Sequence, residues 1–121
     1  MTTFFKLLAA GSAAAALAVT GPALAHTRLV GSNPAANAKV SSPRTITLTF
    51  NERLVPAFSK FELSMPDHDM TVPVQTSVSR DGKQIVGTVA SPLVKGSYRI
   101  SWTAAGADGH KMTGTVNFQV G

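Results

Sequence analysis

The sequence contains no cysteine. Disulfide bonds are therefore excluded, and so are zinc or iron–sulfur centres that use thiolate ligands. Without such cross-links, a small domain must be stabilised by the packing of its core and by hydrogen-bonded secondary structure.

The chain also lacks an apolar run long enough to span a bilayer, which needs about 20 residues. Its longest apolar stretch, from Leu7 to Val19, follows Lys6 and precedes Ala23-Leu24-Ala25. This order is typical of a secretory signal peptide with a small-x-small cleavage site. We therefore predict that residues 1–25 are a cleaved signal peptide and that residues 26–121 form one exported domain that does not span the membrane.

Runs of like charge are missing as well, although basic residues outnumber acidic ones by 11 to 6. Removal of Lys6 with the signal peptide leaves ten basic and six acidic residues, a net charge of +4. These basic residues are scattered singly and have no aromatic residues interleaved between them. The pattern indicates a solvated surface rather than a nucleic-acid interface.

No window shows a sustained helical period, whereas period-two alternation recurs after residue 40. In TITLTF, for example, Ile46, Leu48 and Phe50 fall on one face. Turn-forming residues separate the alternating segments, and Pro73 indicates an edge strand. We predict an all-β sandwich of about seven strands, at 27–30, 45–50, 61–65, 72–78, 84–89, 98–102 and 116–120.

The position of His26 is unusual, because it directly follows the predicted cleavage site. Cutting after Ala25 would make His26 the first residue, with a ring nitrogen and a free α-amine available to a metal. Asp108 and His110 are two residues apart in a predicted hairpin loop between Gly106 and Gly114, and extended backbone would point both side chains to one side.

Together these groups form a nitrogen-rich, thiol-free ligand set. Tetragonal nitrogen and oxygen coordination suits Cu(II), which also heads the affinity order of divalent first-row ions. Zinc is possible, although it has no particular use for a terminal amine. Because amine and imidazole must lose protons to bind, affinity should weaken in acid.

From His26 onward the chain resembles the CopC family of periplasmic copper-binding proteins. The resemblance rests on four stretches: HTRLVGSNPAANAKV, FNERLV, SPLVKGSYRISW and ADGHKMTGTVNFQV. It implies a Greek-key β-sandwich or barrel, related to immunoglobulin and cupredoxin folds, and Cu(II) bound by His26, Asp108 and His110. Glu52 stands where family members place a glutamate near this site, either as a ligand or behind one.

The resemblance also implies a periplasmic carrier or buffer in copper homeostasis and resistance, not an enzyme. It implies an inner-membrane copper transporter of the CopD type as its partner, and we expect a monomer. Some family members bind Cu(I) in a methionine-rich loop. The equivalent stretch here, SMPDHDMTVP, holds only Met65, His68 and Met70, and Met65 falls in register with core residues.

Two other functions remain open at this point. A copper-dependent oxidative enzyme can also use an N-terminal histidine, but it needs an exposed aromatic surface for its substrate. Trp102 and Tyr98 are in strand register and are expected to be buried. The second is an exported β-sandwich that binds no metal, in which the position of His26 after the cleavage site has no functional meaning.

Overall fold

The computed structural model describes residues 26–121, so the predicted signal peptide lies outside the described residues. Within this range the chain forms nine strands, two short 3-10 turns at Pro56–Phe58 and Pro66–His68, and no α-helix. Accordingly, no helix in the described part is long and apolar enough to cross a membrane. The strands are β1 (Leu29–Asn33), β2 (Lys39–Val40), β3 (Thr45–Phe50), β4 (Lys60–Met65), β5 (Met70–Val72), β6 (Val74–Val78), β7 (Gln84–Val89), β8 (Gly96–Ala105) and β9 (Lys111–Val120).

The strands form two sheets. One has the order β1-β3-β7-β6 and the other the order β2-β9-β8-β4-β5. All pairs are antiparallel except the short parallel pair of β2 with β9. The chain changes sheet after β1, β2, β3, β5 and β7. Two sheets packed in this way confirm the all-β sandwich predicted from the alternation.

The strand count differs from the prediction at two places. The predicted strand at 72–78 is two strands, β5 and β6, which belong to different sheets and meet at Pro73. Proline has no backbone N–H to donate to a ladder, so the chain can leave one sheet there and enter the other. The second addition is β2, which at two residues is too short to show alternation.

The core lies between the two sheets and follows the alternation. In β3, Ile46, Leu48 and Phe50 are buried while the residues between them are not. From the other sheet, Trp102 meets the Phe50 ring edge-on, with ring centroids 5.1 Å apart. Tyr98 is 2% exposed and Trp102 8% exposed, so both are core residues as predicted.

Two backbone contacts tie the loops together at one end of the sandwich. Leu54 forms an isolated antiparallel bridge with Gly106, and the Val55 N–H donates to the Ala105 carbonyl at 2.8 Å. The segment that leaves β3 therefore runs beside the β8–β9 hairpin loop. The N-terminal residues reach the same end, because β1 pairs with β3 so that Leu29 faces Phe50.

Candidate metal site

Three separate segments meet at this end of the sandwich: residues 26–28, residues 51–54 and the hairpin loop at 106–110. Among the residues that the structure describes, His26, Asp108 and His110 each offer a ligand atom within 4.8 Å of the other two. The His26 and His110 ring centroids are 6.5 Å apart. All three residues are exposed, so an ion could reach the group directly from solvent.

Asp108 and His110 approach each other through a turn rather than through extended backbone. The His110 N–H donates to Asp108 Oδ1 at 3.0 Å, while His110 Nδ1 lies 3.2 Å from Asp108 Oδ2. Gly109 between them has φ +83°, a left-handed conformation that favours glycine. The predicted proximity is present, but the extended geometry assumed for it is wrong. The loop is also shorter than predicted, because β9 begins at Lys111.

The same turn makes the Asp108 carboxyl a stronger acid. The hydrogen bond from the His110 amide is the main cause that lowers the pKa of Asp108, and the His110 and His26 rings act in the same direction against some desolvation. A carboxylate with a lowered pKa stays ionised further into acid. Asp108 is therefore available as an anionic ligand across the neutral range.

Glu52 lies beside the group but is not one of its three members. Its Oε1 accepts a hydrogen bond from the Thr27 hydroxyl at 2.6 Å. Thr27 is only 3% exposed, so this bond joins the N-terminal segment to the segment after β3. A Cβ at Gly106 would collide with Glu52 Oε1 and lie 2.5 Å from Thr27 Oγ1. The hairpin loop is thus packed directly against this hydrogen bond.

Asn51, which was not among the predicted site residues, contacts the N-terminal segment twice with its side chain. Its Oδ1 accepts from the Arg28 N–H at 2.9 Å, and its Nδ2 donates to the His26 carbonyl at 3.0 Å. No sequence signal marks this role, because the partners lie 23 and 25 residues away along the chain. Only the pairing of β1 with β3 brings them together.

The second stretch considered for copper lies at the opposite end of the sandwich. Met65 packs near the start of β8, since a Cβ at Gly96 would lie 2.8 Å from Met65 Cε. The ten residues of β8 separate it from the hairpin loop by about 30 Å. Met65 is 4% exposed and belongs to the core as predicted, whereas its cross-strand neighbour Met70 is 54% exposed. His68 is exposed in a 3-10 turn.

The fold and the site together define a class: a small β-sandwich with an exposed histidine–carboxylate group at one end, assembled from the segment before β1 and the β8–β9 hairpin loop. Residues 29–121 match the family model described as the CopC domain. The chain belongs to the CopC family, and the resemblance noted in the sequence is confirmed.

The sequence similarity to known proteins extends over most of the chain. The chain is 41% identical to the copper resistance protein C of Pseudomonas syringae pv. tomato, covering 98% of this chain and 95% of that protein. It is 39% identical to the copper resistance protein C of Xanthomonas campestris pv. juglandis, covering 88% of each. Among solved structures it is similar to PcoC from Escherichia coli, described as a methionine-rich copper resistance protein. The TM-score there is 0.73 with 36% identity, over 80% of this chain and all of PcoC.

Proposed function

We propose that this protein is an exported copper carrier that binds one Cu(II) ion through His26, Asp108 and His110. The observation that carries the proposal is the convergence of these three residues, with ligand atoms within 4.8 Å of one another, although Asp108 and His110 lie far along the chain from His26. The relatives named as copper resistance proteins support copper as the metal.

The chemistry of the ligand set supports the oxidised ion. If the signal peptide is removed after Ala25, His26 contributes its α-amine and one ring nitrogen, His110 a second imidazole and Asp108 a carboxylate. Three nitrogens and one oxygen, without sulfur, suit the tetragonal geometry of Cu(II). Cu(I) prefers soft thioether ligands, and Met65 and Met70 lie at the far end of the sandwich.

A carrier is favoured over an oxidative enzyme because neither Trp102 nor Tyr98 is available to form a substrate surface. Trp102 and Tyr98 are both packed in the core. The three candidate ligands are instead open to solvent, an arrangement that suits uptake and release of an ion.

The site of action that we propose is the periplasm, on the basis of the predicted signal peptide and the family. The partner that we propose is an inner-membrane copper transporter of the CopD type, which would exchange the ion with the exposed site. The protein would act as a monomer, holding copper for homeostasis and resistance.

The decisive test compares two purified forms by Cu(II) titration followed with electron paramagnetic resonance. One form begins at His26, confirmed by intact mass, and the other retains Ala25 before it. We expect the His26 form to bind one ion tightly with a nitrogen-rich tetragonal signal. The extended form should bind much more weakly, because its His26 nitrogen is a peptide amide and no longer an α-amine. Equal binding would remove the amine from the site.

A variant tests the hairpin loop separately. His110→Ala should weaken Cu(II) binding strongly and leave the far-ultraviolet circular dichroism spectrum unchanged, because the side chain is 74% exposed. His68→Ala is the matched control, since His68 is also exposed and lies at the other end of the sandwich. Unchanged affinity in His110→Ala would contradict the proposed ligand set.

A further inference from the structure

We infer that Asn51 is a positioning residue, which holds the first residues of the domain so that His26 stays beside His110. This inference rests on the proposed function for its consequence, although the contacts themselves concern only the protein. The Asn51 side chain contacts no candidate ligand atom; it acts through the backbone on either side of Thr27.

The side chain of Asn51 brackets Thr27 with two hydrogen bonds. Its Oδ1 accepts from the Arg28 N–H at 2.9 Å and its Nδ2 donates to the His26 carbonyl at 3.0 Å. The Asn51 backbone adds a third bond, from its N–H to the Arg28 carbonyl at 3.2 Å. With Thr27 buried at 3% exposure, the segment is held both by its side chain and by its backbone.

These hydrogen bonds would fix the position of His26 in the site. The first residues of a domain are poorly ordered unless something holds them, and β1 begins only at Leu29. The His26 side chain is exposed, so its own packing does little to fix its position. A ligand held in its binding geometry before the metal arrives avoids the entropy cost of ordering it at binding.

An asparagine side chain suits this bracket because it offers one acceptor and one donor from the same planar group. Aspartate keeps an acceptor for the Arg28 N–H but places a second oxygen against the His26 carbonyl. Alanine removes both contacts. The two substitutions therefore separate one hydrogen bond from the other.

The first measurement uses the metal-free protein, purified after export, with its N-terminus confirmed by intact mass. Amide hydrogen exchange at Arg28 should be about tenfold faster in Asn51→Ala than in wild type, the effect of losing one hydrogen bond. Asn51→Asp should restore the protection, since the acceptor remains. Asn117→Ala is the control, because Asn117 is an exposed asparagine of β9 that accepts from Arg99. Unchanged exchange at Arg28 in Asn51→Ala would overturn the inference.

The second measurement is a Cu(II) titration of the same proteins against a competing chelator. Asn51→Ala should bind Cu(II) about tenfold more weakly and release it faster, because His26 must be ordered at each binding event. Its electron paramagnetic resonance signal should become a mixture, with a second species that lacks the hairpin-loop ligands. Asn117→Ala should match wild type in both respects.

The outcomes distinguish this inference from the proposed function. If wild type binds no Cu(II), the proposed function fails, while exchange at Arg28 still decides whether Asn51 holds the segment. If wild type binds Cu(II) and Asn51→Ala exchanges faster but binds equally well with the same spectrum, the positioning role is overturned and the proposed function stands.

Discussion

Replacement of Gly106 by alanine tests how tightly the three segments of the site are packed. Gly106 is buried, and a Cβ there would point at the Thr27–Glu52 hydrogen bond, colliding with Glu52 Oε1 and lying 2.5 Å from Thr27 Oγ1. Thr27 is buried and cannot move away, whereas the half-buried Glu52 side chain can turn aside only by giving up its 2.6 Å hydrogen bond to Thr27. The added methyl group would therefore break that bond and also crowd Thr27 Oγ1.

The expected cost follows from these two consequences. Loss of the hydrogen bond costs about 1 kcal/mol, and forcing a methyl group into a packed site costs about 1–3 kcal/mol. We therefore expect Gly106→Ala to lower the free energy of unfolding by about 3 kcal/mol. For a domain of this size the midpoint temperature should fall by about 15 °C.

Urea unfolding and a thermal melt of the metal-free protein would measure this change. Gly31→Ala is the matched control, because a Cβ at Gly31 would have no atom within 4 Å. It should leave the free energy of unfolding unchanged or raise it by up to about 1 kcal/mol, because alanine restricts the unfolded chain. If Gly106→Ala is as stable as Gly31→Ala, the packing of the loop against Thr27 and Glu52 is not as described.

Three further predictions concern other parts of the molecule. Asp108→Asn should weaken Cu(II) binding less than His110→Ala does and should alter the electron paramagnetic resonance signal. The amide oxygen of asparagine can still accept from the His110 N–H, but it carries no charge. An unaltered signal would argue against a carboxylate ligand. Met65→Ser should lower the free energy of unfolding by about 3 kcal/mol, as expected for truncating a buried side chain. Met70→Ser, at an exposed position, should change it by less than about 0.5 kcal/mol. Urea unfolding of both variants measures these changes, and equal effects would contradict the burial of Met65. The pKa of Asp81 is lowered chiefly by the hydrogen bond from the Ser79 hydroxyl, so the stability that Asp81 contributes is present above the unfolded-state pKa and is lost as pH falls below about 4. In Asp81→Asn, the free energy of unfolding measured in urea should therefore fall less steeply with acid than in wild type. Equal pH slopes in the two proteins would refute the assignment.

Much of the fold could be predicted from local pattern. The alternation in TITLTF and in YRISW predicts strands whose buried faces are the ones observed in β3 and β8. This works because side chains on a strand alternate between its two faces, so the sequence of a half-buried strand shows which residues face the core. The two-residue strand β2 could not be found in this way, and nothing local to Pro73 says that the chain changes sheet there.

For the candidate site as well, some features could be predicted from the sequence and others could not. The sequence by itself determined the residue types: histidines and a carboxylate without thiols, which indicate a nitrogen and oxygen site, and an aspartate and histidine two positions apart. It could not determine that Asp108 and His110 meet through a turn, with Gly109 in a left-handed conformation.

Only the tertiary structure decided which distant residues support the group. Thr27 meets Glu52, and Asn51 brackets the backbone of His26 and Arg28, across separations of 23 to 25 residues. Such contacts have no periodic signature, because they depend on which strands become neighbours and in which register. The pairing of β1 with β3 and of β8 with β9 sets that register, and it brings the segment before β1 and the β8–β9 hairpin loop to one end of the sandwich.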